Sequence, residues 1–325
     1  MDKIRTAVIG VGYFGQFHAE KYACLKRSTL TAIVDTDRER AQAIAEKHHV
    51  TPIFDYRDLF GQVDAVSIAV PTSLHYEIAK AFLEQGVHVL IEKPITENLA
   101  QADELIQLAT EKGRVLQVGH LERFSAAQLG LENVINQPLF IECNRIAAFN
   151  PRGSDVSVTL DLMIHDIDMI QYFVKASVSE VDAAGAPVFS SEEDIANARL
   201  HFTNGCIANV TASRISTKTE RKMRIFQHDA YIMVDFVNKK VLVARRGQGE
   251  MLPGVPKIDV EEHNYEEDDI LKREIEAFLE SVASGCPPLV SGEDGRLALE
   301  TALLINGSLQ LHSSRNEATS TKLIQ

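Results

Sequence analysis

Over the first 120 residues, short and largely apolar runs alternate with stretches in which apolar positions recur every three or four residues. The runs lie at 4–9, 30–34, 65–70, 87–91 and 115–118. Apolar residues predominate at both odd and even positions of most of them, which is the mark of strands covered on both faces. The amphipathic stretches near 14–25, 37–48, 74–85 and 99–112 read as helices. Strand and helix in strict alternation, joined right-handedly, predict a doubly wound parallel sheet over residues 1–120. Beyond 120 the pattern changes. A helix is expected at 124–136, an extended run at 139–149 and a second helix at about 158–175. Alternating β-rich segments follow at 178–189, 195–203, 206–215, 221–227 and 230–236, with Asn204-Gly205 as the clearest turn. Helical periodicity returns from 268 and again at 292–311. The pattern therefore predicts an α/β chain: a doubly wound N-terminal domain (1–120), an α+β domain with a largely antiparallel sheet (121–313), and a loosely ordered tail (314–325).

Composition narrows the chemistry. The 325 residues carry a formal net charge of −13, which argues against a nucleic-acid or anionic-membrane surface but leaves room for a small anionic ligand in a local basic pocket. Cys24, Cys143, Cys206 and Cys286 lie far apart without C-x-x-C spacing. Neither a zinc site nor a disulfide framework is indicated, and reduced, buried thiols in a cytoplasmic protein are expected. No apolar run reaches the roughly 18 residues of a membrane span. The opening MDKIRTAVIGVGYFG has the basic flank and apolar run of a signal peptide, but its glycines and the following Gln16, His18 and Glu20 fit a buried strand better.

Gly10-Val11-Gly12-Tyr13-Phe14-Gly15 follows the first strand and opens a helix. In such a loop the first glycine permits a tight turn, the second lets the backbone approach a pyrophosphate, and the third lets helix and strand pack closely. The helix amino end adds unpaired N–H groups for the phosphates. Asp35 ends the second strand, 20 residues beyond Gly15, where a carboxylate accepts from a ribose 2′-hydroxyl and repels a 2′-phosphate. NAD is expected over NADP, with Arg38 close by as a counterweight. A plain glycine-rich turn is the alternative, and the strand–loop–helix context weighs against it.

Glu92-Lys93-Pro94 ends the strand at 87–91, at the sheet's carboxyl edge where open α/β sheets bind ligands. At this point the chain resembles the Gfo/Idh/MocA oxidoreductases along almost its whole length. The resemblance rests on GVGYFG, on AVPTSLH at 69–75, on EKP at 92–94 and on Asp161 with His165. It implies a Rossmann domain, an open-faced sheet domain, and oxidation of a sugar carbinol with NAD. It also implies Lys93, Asp161 and His165 as catalytic residues. The cofactor set would comprise Gly10, Gly12, Tyr13, Phe14, Gly15, Asp35, Arg38, Pro71, Thr72, His75, Glu92 and Lys93. VGHLERF at 118–124 and DLMIHDIDM at 161–169 look most like the family's UDP-N-acetylglucosamine 3-dehydrogenase group, which implies a sugar-nucleotide substrate.

The DLMIHDIDM stretch is chemically odd in its own right. On a helix turning about 100° per residue, Asp161, His165, Asp168 and Tyr172 share one narrow stripe walled by hydrophobes. Hydride loss from a carbinol requires removal of the hydroxyl proton. Histidine can accept it near neutral pH, and lysine can polarise the oxygen. Which of Lys93 and His165 is the formal base stays open. A structural Asp–His network and metal ligation by Asp161, His165 and Asp168 are the alternatives; no metal is expected, since a nicotinamide supplies the redox chemistry. Asp166 falls on the apolar side of this wheel. His120, Arg123 and Arg152 complete the substrate set, the arginines as candidates for a diphosphate. A free-sugar or inositol dehydrogenase and a non-catalytic dinucleotide sensor are the competing functions. The uncovered face of an open sheet predicts a homodimer or homotetramer.

Overall fold

The computed structural model describes residues 3–150 and 156–323, with side chains described to residue 312. The tail at 314–325 lies beyond those side chains. The chain divides into two compact units.

The first unit holds a six-stranded parallel sheet in the order β3-β2-β1-β4-β5-β6. Its strands are β1 (Ile4–Ile9), β2 (Ser28–Val34), β3 (Thr51–Ile53), β4 (Ala65–Ile68), β5 (His88–Glu92) and β6 (Leu116–Gly119). Every residue of β4 and β6 is buried, as strands covered on both faces require. Helices α1 (Gly15–Cys24), α2 (Arg38–His48), α3 (His75–Glu84) and α4 (Leu99–Lys112) make the crossovers. Their limits follow from local chemistry. The Asp37 and Asn98 side chains accept from the Arg40 and Gln101 N–H groups to start α2 and α4. Left-handed His49 and Gly113 stop the same helices.

This unit takes in more chain than 1–120. It comprises Met1–Phe124 together with Asp269–Leu299, which corrects the boundary expected from the pattern. Packing explains the return. On α7 (Ile270–Ser284), Ile275, Phe278 and Leu279 are buried in the same cluster as Val8, Tyr22, Ile33 and Leu90. Where α8 (Gly292–Leu323) begins, Gly292 and Gly295 press on β6. A Cβ at those positions would stand 2.9 Å from Leu116 Cδ2 and 2.6 Å from Val118 Cγ2.

The second unit, Ser125–Asp268 with Glu300–Gln325, holds an eight-stranded sheet in the order β14-β13-β12-β11-β7-β10-β9-β8. Its strands are β7 (Pro138–Ile146), β8 (Val178–Ala186), β9 (Ile195–Phe202), β10 (Ile207–Ser213), β11 (Glu220–Gln227), β12 (Ala230–Asp235), β13 (Lys240–Leu252) and β14 (Val255–Asn264). All pairs are antiparallel except β7 with β10. β9 to β12 alternate buried and less buried residues, so one face supplies the core. The helix expected at 124–136 is shorter: α5 (Glu122–Gln128) stops, Gly130 turns left-handed at φ 63°, and a 3₁₀ turn (Leu131–Asn133) follows. α6 (Ile164–Val174) is preceded by a π-turn at Thr159–Met163 and packs on β7 and β10. No helix among the described residues is long and apolar enough to cross a membrane. All four cysteines are free; Cys143 and Cys206 are buried, whereas Cys24 and Cys286 are exposed, contrary to the expectation of four buried thiols.

Candidate active site

The glycine loop performs three separate steric tasks. Gly10 sits at φ +81°, and a Cβ there would come within 2.7 Å of the Ala69 carbonyl and Val70 Cγ1. Gly15 lies so close under the loop that its Cβ would stand 1.8 Å from the Gly10 carbonyl oxygen. Gly12 differs: a Cβ there would meet nothing within 4 Å, so its backbone faces open space. The first and third glycines thus close the turn, and the second leaves it accessible to a ligand. A cavity of about 550 Å³ opens beside it, lined by Gly10, Gly12, Asp35, Arg40, Phe54 and Pro71 among others. Tyr13 and Phe14 are half-exposed neighbours whose rings meet edge to face at 5.5 Å.

Asp35 is buried at the end of β2 and is fully engaged. Its oxygens accept from the backbone N–H groups of Val11 and Asp37, each at 2.9 Å. They also accept from Arg40 Nε and Nη2, each at 3.0 Å. Burial alone would raise its carboxyl; Arg40 and the two N–H donors overcome that and hold it below the usual range. The arginine beside the carboxylate is therefore Arg40 and not Arg38, whose guanidinium lies 4.2 Å from the centre of the Phe54 ring. Arg40 is half-exposed, and a ribose diol would compete with it for the Asp35 oxygens. These features fit a dinucleotide. Asp35→Ser, which leaves Arg40 beside the cavity with only its 3.7 Å contact to Asp37, is expected to move the NADP/NAD ratio of kcat/KM toward NADP by about 10- to 100-fold, the size of one charge-assisted hydrogen bond. An unchanged ratio in steady-state assays with both cofactors overturns this assignment.

At the carboxyl edge, Pro71 borders the cavity and Thr72 opens a 3₁₀ turn, Thr72–Leu74. His75 departs from its expected place. It is buried beneath the surface, with Nδ1 2.9 Å from the Pro94 carbonyl and Nε2 2.9 Å from the Val70 carbonyl. It ties the two edge loops together, where a cofactor contact was expected. Lys93 is half-buried and joins Pro94 through a cis peptide. Glu92 accepts from His18 Nε2 at 3.0 Å.

Two further expectations are corrected. His120 is wholly buried, and Arg123, only 3% exposed, pairs with Asp294 Oδ1 at 3.2 Å. Asp294 in turn accepts from the Ser291 N–H at 2.8 Å, so Arg123 anchors the start of α8. A buried, neutralised arginine makes a poor diphosphate anchor. Arg152 lies outside the described residues.

Asp161 and His165 belong to the second unit, Lys93 to the first. Asp161 is half-buried within the π-turn, and His165 is half-buried in the first turn of α6. The regular wheel is broken there. Asp168 is 1% exposed, whereas Asp161, His165 and Tyr172 are partly accessible. π-turns inside helices recur at functional positions. Tyr172 donates to Glu132. Asp166 is explained by Arg145, whose Nε and Nη2 reach its carboxylate at 2.7 and 3.0 Å. Among the described residues, the group that brings three metal-type ligand atoms within 4.8 Å is His18, Glu92 and Glu274, not Asp161, His165 and Asp168. Sequence reasoning passed over Arg40, Phe54, Arg57 and Glu274. A carboxylate on the apolar face of α7 was the available signal for Glu274.

Comparison with known proteins agrees with this geometry. The profile described as "Oxidoreductase family, NAD-binding Rossmann fold" matches residues 4–120, and the family's C-terminal domain profile matches residues 144–232. The chain is 38% identical over 316 residues to UDP-N-acetylglucosamine 3-dehydrogenase of Acidithiobacillus ferrooxidans, covering 97% of this chain and 100% of that protein. A solved structure of that enzyme superposes with a TM-score of 0.90 over 96% of this chain and 99% of the other. Myo-inositol 2-dehydrogenase of Thermotoga maritima is 29% identical over 94% of this chain and 96% of its own. Levoglucosan dehydrogenase in complex with NADH and levoglucosan shares the fold at 19% identity and a TM-score of 0.83, covering 94% and 97% of the two chains. The chain belongs to the GFO/IDH/MocA oxidoreductases, with an NAD-binding Rossmann domain ahead of a mixed, largely antiparallel sheet domain.

Proposed function

We propose that this chain is an NAD-dependent dehydrogenase of sugar nucleotides, and that it oxidises carbon 3 of UDP-N-acetylglucosamine to the ketone. The observation that carries the reading is the end-to-end similarity to the Acidithiobacillus enzyme, which exceeds that to the inositol dehydrogenase. Bound NAD supplies the hydride acceptor. The chain's own residues do the rest: Lys93 polarises the carbinol oxygen and stabilises the developing alkoxide, His165 takes the hydroxyl proton, and Asp161 supports the charge that forms on the imidazole. A homodimer or homotetramer is part of the proposal. It is supported by Met251, Leu252, Ile258 and Val260, which leave 57–67% of their surface exposed along the β13–β14 hairpin. So is a cytoplasmic location, in keeping with four free cysteines.

The test follows NADH absorbance with a panel of UDP-sugars, free hexoses and inositols. Turnover with UDP-N-acetylglucosamine at a kcat/KM at least about tenfold above every other compound is expected, since recognising a nucleotide diphosphate adds several charge-assisted hydrogen bonds. Oxidation of inositol or glucose with no UDP-sugar turned over makes the chain a free-polyol dehydrogenase instead.

A further inference from the structure

Glu274 is fully buried on α7, in the helix turn that also buries Ile275 and Phe278, and neither of its carboxyl oxygens meets a hydrogen-bond donor. An ionised carboxylate without a partner is among the costliest groups to bury. Its position is nevertheless well defined, because Gln117 Nε2 donates to the Glu274 backbone carbonyl at 3.3 Å. Ligand atoms of Glu92, His18 and Glu274 all lie within 4.8 Å of one another. Gly119 leaves room for this crowding: a Cβ there would stand 3.1 Å from the Glu92 carboxyl atoms.

We infer that Glu274 is a positioning residue for Lys93: as an un-ionised acid it donates to the Glu92 carboxylate, so that Glu92 and Glu274 together carry a single negative charge next to the lysine. The inference rests on the dehydrogenase reading only for what Lys93 does.

The hydrogen-bond directions support it. Tyr22 Oη lies 2.8 Å from Ser67 Oγ, and Ser67 Oγ lies 3.1 Å from His18 Nδ1. With Tyr22 donating to Ser67 and Ser67 to Nδ1, His18 keeps its proton on Nε2 and donates it to Glu92. That chain delivers one donor to Glu92 and none to Glu274, so the remaining orphan is satisfied only if it supplies its own proton. The ionisable groups facing the pair are His18 and Tyr22 from α1, His75 from α3, and Lys93 after β5. Burial and then the Glu92 charge push Glu274 well above the ordinary carboxyl range. Burial works in the same direction on Glu92. There the hydrogen bond from His18 and the charge of Lys93 outweigh it and hold that carboxyl below its usual value. One shared proton leaves the two carboxyls with charge −1 against the +1 of Lys93. A divalent cation in its place would leave the buried group with net positive charge.

Two variants and two readouts test this on the full-length protein. Infrared difference spectra of wild type against Glu274→Gln at neutral pH are expected to show the carbonyl stretch of a buried un-ionised carboxylic acid, lost in the variant. No substrate is needed, so this arm stands even if the sugar-nucleotide reading fails. The second readout is the pH profile of kcat/KM for whichever carbinol the chain oxidises. Glu274→Gln still offers an N–H to Glu92 and keeps the wild-type limbs. Glu274→Met removes the donor, so Glu92 takes up a proton at a higher pH than in wild type, and in that acid range its negative charge beside Lys93 is lost. The acid limb then moves up by about one pH unit, while the alkaline limb, where Lys93 deprotonates beside a still-ionised Glu92, stays in place; an alkaline limb that moves down instead shows both carboxyls ionised in wild type and overturns the assignment. Absence of the infrared band, a Glu274→Met profile that overlays wild type, or a stoichiometric divalent metal released by Glu274→Gln each overturns the assignment.

Discussion

Lys93→Met is expected to lower kcat for NADH formation by about 10²- to 10³-fold, the usual loss when one donor to a developing oxyanion is removed. Methionine keeps most of the unbranched stem, so the half-buried position after β5 stays filled while the ammonium is lost. NADH affinity, read by fluorescence titration, changes little, because the cavity built from the glycine loop, Asp35 and Arg40 does not draw on this side chain. The division of labour between Lys93 and His165 comes from the pH profiles of the two variants. With the imidazole as base, kcat/KM falls in acid as His165 becomes protonated. That limb disappears in His165→Asn and survives in Lys93→Met at its lower ceiling. If the lysine is the base, the pattern is reversed. A Lys93→Met enzyme that keeps more than about a tenth of wild-type turnover removes the lysine from the chemistry altogether, and revives the reading of the chain as a dinucleotide sensor.

Much of this architecture was legible because its signals are local. The strands at β1, β2, β4, β5 and β6 are short, largely apolar runs, and the glycine loop with Asp35 is a short-range pattern. What escaped depends on distance or on departures from regular geometry. β3 is three residues long and contains Pro52, too brief for any periodicity. β13 and β14 run past the core, and their outer halves are exposed on both faces, so the alternation that betrays a half-buried strand is missing. The apolar face of α7 is visible in sequence, but nothing local says that it packs against Tyr22 and Leu90. The same limit governs the site. Polar side chains at the carboxyl edge were read as ligands, yet His75, His120 and Arg123 turn inward, with carbonyls taking up the His75 ring and Asp294 taking up Arg123. Arg40, two residues beyond the arginine singled out, is the one that α2 turns toward Asp35. The π-turn at Thr159–Met163 shifts the phase of Asp161 against the regular wheel, whereas Asp168 lies on regular α6 and is buried there, a difference that periodicity alone does not show.

Asp166 shows what such an inward polar residue is worth. It is 5% exposed on α6 and meets Arg145, 3% exposed on β7, in a two-pronged ion pair. Asp166→Asn or Arg145→Met is expected to destabilise the protein by about 3–5 kcal/mol, because each removes one half of a buried ion pair. The Arg145→Leu/Asp166→Leu double variant removes both charges together. It is expected to recover most of that loss, since well-packed apolar replacements of a buried pair are close to neutral. Urea midpoints for the four proteins measure the difference. Single variants within about 1 kcal/mol of wild type place the pair among weak, solvent-screened contacts. His165 is the immediate chain neighbour of Asp166, and the pair links that turn of α6 to β7. The double variant therefore separates two roles that the single variants confound. If stability returns and turnover does not, the ion pair positions the imidazole. If both return together, packing alone suffices to seat the helix, and the charges serve the sheet rather than the chemistry.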